Sequence, residues 1–207
     1  MNEISNASDD LESGFLAVPE TSAEVQRLYD ADIEKIGFVM NASKMWAHHP
    51  AVHHSLFDLI DQTARAASLT YRQRGVLIAA CASALGDSYC SLAWGNRLAR
   101  EASGEVAGAV LRGDDDHLDQ GERALARWAR QVARDPNGTS EGDVQELREA
   151  GFDDSQICAL TVFLGLRVAF STVNDALGAR PDRQLGEQAT PSVLDAITYG
   201  RPMSARC

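Results

Sequence analysis

Apolar residues recur along this chain at three- and four-residue intervals, which is the period of an amphipathic helix. The first such segment runs from Val25 to Ile36 and is followed by Gly37, a common helix stop. Comparable segments are predicted over residues 41–46, 50–60, 70–85, 87–100, 105–111, 118–133, 140–151 and 153–177. No stretch combines strict alternation with β-branched residues and hairpin turns, so the sequence predicts an all-α fold.

The break at Gly86 separates two of these helices and gives the chain its main candidate for chemistry. Asp87 is a good N-cap residue, so Cys90 is expected in the first turn of the helix that follows. Unpaired backbone N–H groups and the helix dipole favour a thiolate there, and we expect a lowered pKa for Cys90. Helical spacing places Asp87, Cys90 and Trp94 on one face, with Arg97 one turn further along.

Several short runs around this break follow one another in a recognisable order. They are Val18-Pro19-Glu20, residues 36–41, Arg72-Gln73-Arg74, residues 76–80, Gly86-x-x-Tyr89-Cys90, and parts of 126–136, 144–152 and 173–178. This order resembles the alkylhydroperoxidase D (AhpD) and carboxymuconolactone decarboxylase superfamily, in its peroxidase-related branch, over roughly residues 15 to 185. The resemblance implies a helical bundle that assembles as a homo-oligomer, a dimer, trimer or hexamer.

The same resemblance shows where the chain departs from the family. Members with peroxidase activity carry two cysteines, a glutamate and a histidine at the positions of Asp87, Cys90, Gly75 and Trp94, of which only Cys90 is kept. Without a second thiol no disulfide can form at this place, and without the glutamate and histidine the usual proton relay is missing. Dithiol peroxidase chemistry is therefore not expected. The decarboxylase branch, with a carboxylate near the Cys90 position and a histidine at that of Trp94, is not matched cleanly either.

Composition and charge narrow the possible partners. The chain has 207 residues, a net charge of −11 and a pI near 4.8, which argues against nucleic acid and an anionic membrane surface. We expect a flexible acidic tail over 1–15, one helical domain over 16–180 and a C-terminal extension over 181–207 that wraps a neighbouring subunit or is disordered. The N-terminus lacks a signal-peptide pattern, and the cysteines lack disulfide or metal spacing, so a cytoplasmic location is expected.

The apolar run at residues 157–170 is interpreted as a buried core helix, because it is too short to span a bilayer and contains Arg167.

A histidine cluster forms a second candidate feature. His49 and His53 have helical zinc-site spacing, but Pro50 lies between them and no third ligand is evident, so no metal site and no cofactor are predicted. His54 is spaced to pair with Asp58, four residues on.

The predicted catalytic residues are Asp87 and Cys90, and the predicted substrate-binding residues are Tyr89, Trp94, Arg97, His53 and His54. Each has a plainer interpretation. Asp87 could serve only as a helix cap. Cys90 and Trp94 could be packing residues of the core, and Arg97 could be a surface charge that favours solubility.

Three functional hypotheses follow. The first is a small-molecule enzyme with acid/base or lyase chemistry around Asp87 and Cys90, acting on a small compound such as a carboxylate. The second is a one-cysteine hydroperoxidase in which Cys90 is oxidised to a sulfenic acid. The third is a non-catalytic oligomeric protein that keeps the fold.

Overall fold

The computed structural model describes residues 13–203 of the chain. Within that range the secondary structure is helical and contains no β-strand, which confirms the all-α prediction. The helices are α1 (Ala23–Ile36), α2 (Asn41–Trp46), α3 (Pro50–Ala66), α4 (Tyr71–Leu85), α5 (Ser88–Glu101), α6 (Gly104–Arg112), α7 (Gln120–Arg134), a 3₁₀ turn (Pro136–Gly138), α8 (Glu141–Glu149), α9 (Asp154–Ala176), α10 (Arg183–Glu187) and α11 (Pro191–Ala196).

The helices begin and end largely where local sequence predicts. Thr70 and Asp153 cap α4 and α9, each in a reciprocal capping box with the glutamine three residues on. Ser22 is the N-cap of α1 and accepts a hydrogen bond from the Val25 N–H. Gly86 ends α4 in the left-handed conformation, at φ +75°, which a residue with a side chain rarely adopts.

Helix α4 is the centre of the bundle. Its residues 75–82 are all buried, and it packs against α5, α6, α7 and α9. A helix that is apolar on every side needs such covering, and here other helices of the same chain supply it.

Helix α9 is the longest, with 23 residues, and its most apolar window has a mean hydropathy of 1.6. By length and composition alone it could cross a bilayer, so the expectation that it is too short is wrong, although core helices of soluble proteins have the same properties. One side, with Leu160, Phe163 and Arg167, is buried in the bundle. The opposite side is exposed at Val162 and Gly165.

The C-terminal segment packs on its own chain. Leu185, Val193 and Ala196 belong to the main hydrophobic core, and the backbone at Ser192 lies so close to Gly108 in α6 that any Cβ there would collide with it. Residues 181–203 therefore pack on the helical bundle of their own chain, and their contact with a neighbouring subunit stays a prediction. Of the predicted N-terminal tail, residues 1–12 lie outside the described residues, whereas the Phe15 N–H donates to the Leu177 carbonyl at 2.8 Å.

Candidate functional site

A cavity of about 820 Å³ opens between α1, α3, α5 and α9. Six of the seven predicted site residues line it, namely Tyr89, Cys90, Trp94, Arg97, His53 and His54. Asp87 is not among the lining residues. A smaller cavity, of about 390 Å³, lies under residues 197–203 and contains no histidine, cysteine or acidic side chain.

Cys90 forms part of the inner wall and is only 2% exposed. Burial raises the pKa of its thiol well above the usual value, and the nearby Asp87 carboxylate raises it further. The Arg167 guanidinium, whose Nη2 lies 3.5 Å from Sγ, acts in the opposite direction but does not prevail. The expectation of a lowered pKa is therefore wrong, since loss of hydration outweighs the helix N-terminus and the thiol keeps its proton at neutral pH.

Asp87 lies behind the thiol, fully buried. One carboxylate oxygen accepts the Cys90 N–H at 2.8 Å, which confirms the N-cap prediction. The other oxygen has no hydrogen-bond partner among the described residues. Asp175 lies close by, and burial together with the charge of Asp87 raises its pKa to about 7. Asp87 therefore acts on Cys90 from the protein interior.

Two arginines and an indole form the charged end of the cavity. The guanidinium carbons of Arg97 and Arg167 lie 4.9 and 5.6 Å from the Trp94 ring centroid, and Arg167 also lies 5.0 Å from the ring of Phe170. These distances are within the range of cation–π contact. Neither arginine has a carboxylate within 4.0 Å in the part of the chain that the structure describes. The site therefore carries two guanidinium groups with no carboxylate within ion-pair distance.

Tyr89 holds the start of α5 against other parts of the chain. Its hydroxyl donates to Asp182 at 2.6 Å and accepts the Ala42 N–H at 3.2 Å. Burial raises the pKa of Asp182 to about 6, although the hydrogen bonds that Asp182 accepts from the Tyr89 hydroxyl and the Asn41 N–H oppose the rise. Because its hydroxyl already forms these two hydrogen bonds, Tyr89 is part of the cavity wall and offers no free polar group there.

The C-terminal segment forms hydrogen bonds to the first turn of α5. Ser88 Oγ donates to the Arg201 carbonyl at 2.8 Å, and the Arg201 N–H donates back to Ser88 Oγ at 2.9 Å. Tyr199 donates from its hydroxyl to Ser91 Oγ at 3.1 Å. The first turn of the thiol helix is thus tied to residues more than 100 positions later.

The histidines divide between the cavity wall and its rim. His53 packs against Phe57, Trp46 and Phe170, with ring centroids 4.5, 5.7 and 6.4 Å away, and burial lowers its pKa to about 4. It is therefore neutral at pH 7 and forms an aromatic wall. His54 is exposed and lies 3.3 Å from Asp58, which confirms the predicted spacing of that pair. Among residues 13–203 no three metal-ligating side chains lie close enough to hold an ion.

Sequence reasoning missed the contribution of α9 to the site. Arg167 and Phe170 lie on that helix, which is distant in sequence from Cys90, and Phe57 completes the aromatic wall from α3. Arg167 did carry a signal, because it is a charge within the apolar run 157–170 and is only 3% exposed. Burying a charged side chain in such a position costs free energy, and residues of this kind commonly have a functional role.

The position at which the family resemblance implies a glutamate is tightly packed in this chain. Gly75 is buried, and a Cβ there would lie 3.3 Å from the Leu98 side chain. A larger residue at this position would therefore require Leu98 in α5 to shift.

Comparison with known proteins identifies the fold. Neither models of protein families nor curated proteins match the chain. Among solved structures, an uncharacterized peroxidase-related protein from Silicibacter sp. TM1040 is 20% identical, with a TM-score of 0.74, over 84% of this chain and 94% of that one. An uncharacterized peroxidase-related protein with an AhpD core, from Ralstonia eutropha JMP134, is 26% identical, with a TM-score of 0.68, over 83% and 94%.

A third similar structure is the debrominase Bmp8. A variant of Bmp8 with one cysteine replaced by alanine, solved in complex with 2,3,4-tribromopyrrole, is 14% identical, with a TM-score of 0.70, over 90% of this chain and 97% of that one. Together these neighbours confirm the AhpD-like fold indicated by the residues around Gly86.

Proposed function

We propose that this chain is a small-molecule enzyme on an AhpD-like scaffold and that Cys90 transfers a proton to or from the substrate. The observation that carries the proposal is a thiol that faces a large cavity yet keeps its proton, because burial and Asp87 raise its pKa. A protonated group in contact with substrate is a general acid. Asp87, one layer further in, sets the proton affinity of Cys90 and positions it through the N-cap bond.

The chemistry requires no redox partner. In an isomerisation or decarboxylation a carbon of the substrate becomes electron-rich and accepts the proton from Sγ, while the electron pair of the S–H bond stays on sulfur. Arg167, 3.5 Å from Sγ, stabilises the thiolate that results. The proton then returns to Sγ from another carbon of the same substrate or from water, and the site is restored.

Deuterium incorporation tests this proposal without knowledge of the natural substrate. The protein is incubated in D₂O with a panel of carbon acids (2-oxo acids, β-keto acids and unsaturated lactones), and loss of C–H signals is followed by NMR. We expect exchange above the buffer rate on at least one compound. The exchange should be abolished in Cys90→Ser and kept in Cys158→Ser, whose thiol is exposed and does not line the cavity. If the wild type exchanges no compound faster than buffer, proton transfer by Cys90 is refuted.

A one-cysteine hydroperoxidase is the second candidate. It is supported by the Arg167 guanidinium beside Sγ, which favours a thiolate, and by the two peroxidase-related proteins of the same fold. It requires consumption of peroxide with a sulfenic acid at Cys90, restored by an external thiol. The raised thiol pKa opposes it, so we expect no turnover of peroxide. A non-catalytic protein would show neither reaction, and Cys90→Ser would change stability alone.

The cavity also suits a ligand of modest size. Bmp8 accepts a small aromatic compound on a fold of this kind, and about 820 Å³ with aromatic walls has room for one here. Homo-oligomerisation remains a proposal, supported by the exposed apolar residues Val162, Leu59 and Val52 on α9 and α3. A cytoplasmic location and the lack of a cofactor remain predictions of the sequence.

A further inference from the structure

We infer that the substrate is a small organic anion, a carboxylate on a flat apolar body, and that Arg97 and Arg167 hold its charged end beside Cys90. The inference deepens the proposed function and rests on it for the role of Cys90. Its binding step depends on the cavity and its charges and not on proton transfer by Cys90.

The acidic side chains that line the cavity already have partners. All four have a side-chain or backbone partner. Glu24 pairs with Arg27 at 4.0 Å and Asp61 with Arg74 at 3.6 Å, Asp58 contacts His54 at 3.3 Å, and Asp32 accepts the Met40 N–H at 3.0 Å. None of these acids lies within ion-pair distance of either inner arginine.

The two arginines, in contrast, bond only to uncharged groups. Arg97 donates to the carbonyl of Ala93 at 3.0 Å, one turn back on its own helix. Arg167 reaches the Cys90 sulfur, and its buried Nε has no hydrogen-bond partner within residues 13–203. Burial lowers the pKa of Arg97, and the charge of Arg167 adds to that effect.

Such an arrangement is costly in the absence of an anion. Buried charges in proteins are normally paired, and two neighbouring guanidinium groups without a counterion oppose each other. A ligand carboxylate removes this cost, because it accepts charge-assisted hydrogen bonds from guanidinium groups and fits their planar geometry. Groups left unsatisfied in a cavity beside a reactive side chain point to a ligand that completes them.

The remaining walls define the body of the ligand. Phe170, Phe57 and the neutral His53 present ring surfaces next to the charged end. These surfaces favour a flat apolar or conjugated group over a polar one. Because Arg167 lies 3.5 Å from Sγ, a carboxylate held there places its adjacent carbons within reach of the thiol. The proton transfer proposed above would then occur next to the carboxylate.

Benzoate and benzamide are suitable probes, since they share a flat body and differ in charge. We measure their binding by titration calorimetry to wild type, Arg97→Gln, Arg167→Gln and Arg100→Gln. Arg100 is on the same helix as Arg97 but is exposed and contacts Gln188. We expect benzoate to bind at least about tenfold more tightly than benzamide, to lose about tenfold or more in Arg97→Gln and Arg167→Gln, and to be unchanged in Arg100→Gln.

Several results would overturn the inference. These are equal binding of benzoate and benzamide, no binding of benzoate at concentrations on the order of 10 mM, and an equal effect of Arg97→Gln and Arg100→Gln. Competition by inorganic phosphate as strong as that by benzoate would mark an inorganic-anion site and equally refute it. If Arg167→Gln fails to fold, Arg97→Gln at the less deeply buried neighbouring position carries the test.

A second readout uses the thiols themselves. Iodoacetate carries a carboxylate and iodoacetamide does not, so the ratio of their alkylation rates reports anion preference near a cysteine. We expect a higher ratio of the iodoacetate to the iodoacetamide rate at Cys90 than at the exposed Cys158 of the same molecule. The difference should shrink in Arg97→Gln, where Arg167 still lies beside Sγ; equal ratios at the two cysteines of the wild type would contradict the inference. Benzoate binding to Cys90→Ser separates the two proposals, because anion recognition survives there even if proton transfer is refuted.

Discussion

Replacing Asp175 by asparagine should stabilise the protein at neutral pH and above. Burial and the nearby charge of Asp87 raise the pKa of Asp175 from 3.8 to about 7, although Arg201 opposes the rise. The pKa of Asp175 is thus higher in the folded protein than in the unfolded chain. The stability of the fold is therefore unaffected by this carboxyl below pH ~4, and it decreases as the pH rises from there through about 7. A shift of about 3 units corresponds to at most ~4 kcal/mol, which we reduce to ~2 kcal/mol because this carboxyl is half-buried and partly solvated.

The assay is chemical denaturation of wild type and Asp175→Asn at pH 4 and pH 8. We expect no difference at pH 4 and a gain of about 2 kcal/mol at pH 8, or about 4–8 °C in Tm for a chain of this size. Asp195→Asn, at an exposed position of α11, is the matched control and should change stability equally at both pH values. If Asp175→Asn gains the same at pH 4 as at pH 8, or loses stability at pH 8, the argument from burial and Asp87 is refuted.

The other predictions concern groups that contact the cavity or support it. The pKa of Cys90, measured from the pH dependence of alkylation with the other cysteines replaced, should fall in Asp87→Asn and rise in Arg167→Gln, because their charges act on the thiol in opposite directions; shifts of the same sign would contradict this. The wild type should lose stability on acidification because of His53, and His53→Phe should remove that loss. The pKa of His53 lies at about 4 in the folded protein and near 6.5 when unfolded, so this contribution is intact above pH 6.5 and falls by about 2–3 kcal/mol at pH 4.5. Denaturation at pH 7 and pH 4.5 measures it, and an equal loss in wild type and variant would rule it out.

Local sequence was a good guide to the helices and to one wall of the site. Capping residues such as Thr70 and Asp153 act within a single turn, so their effect can be predicted without tertiary structure. Helical periodicity alone placed Cys90, Trp94 and Arg97 on a shared face of α5, and the structure shows all three lining the cavity.

The chemistry of that wall could not be predicted in the same way. The pKa of Cys90 depends on burial by residues far away in sequence, including Arg167, 77 positions later. The first-turn position of the thiol favours a thiolate, but this local effect is smaller than the cost of dehydrating the charge. The packing of residues 181–203 was missed for a related reason, since their short helices have too few turns for a periodic pattern to show which face is buried.

The hydrogen bonds between the C-terminal segment and the first turn of α5 also affect the order in which parts of the structure can form during synthesis. Tyr89 bonds to Asp182, and Ser88 bonds to Arg201. The partners Asp182 and Arg201 lie 93 and 113 positions after the residues that they bond, so these bonds can form only once that later segment has been made. The nascent chain can build the hydrophobic centre around α4 as it emerges, but the wall that carries the thiol acquires its last supports only afterwards.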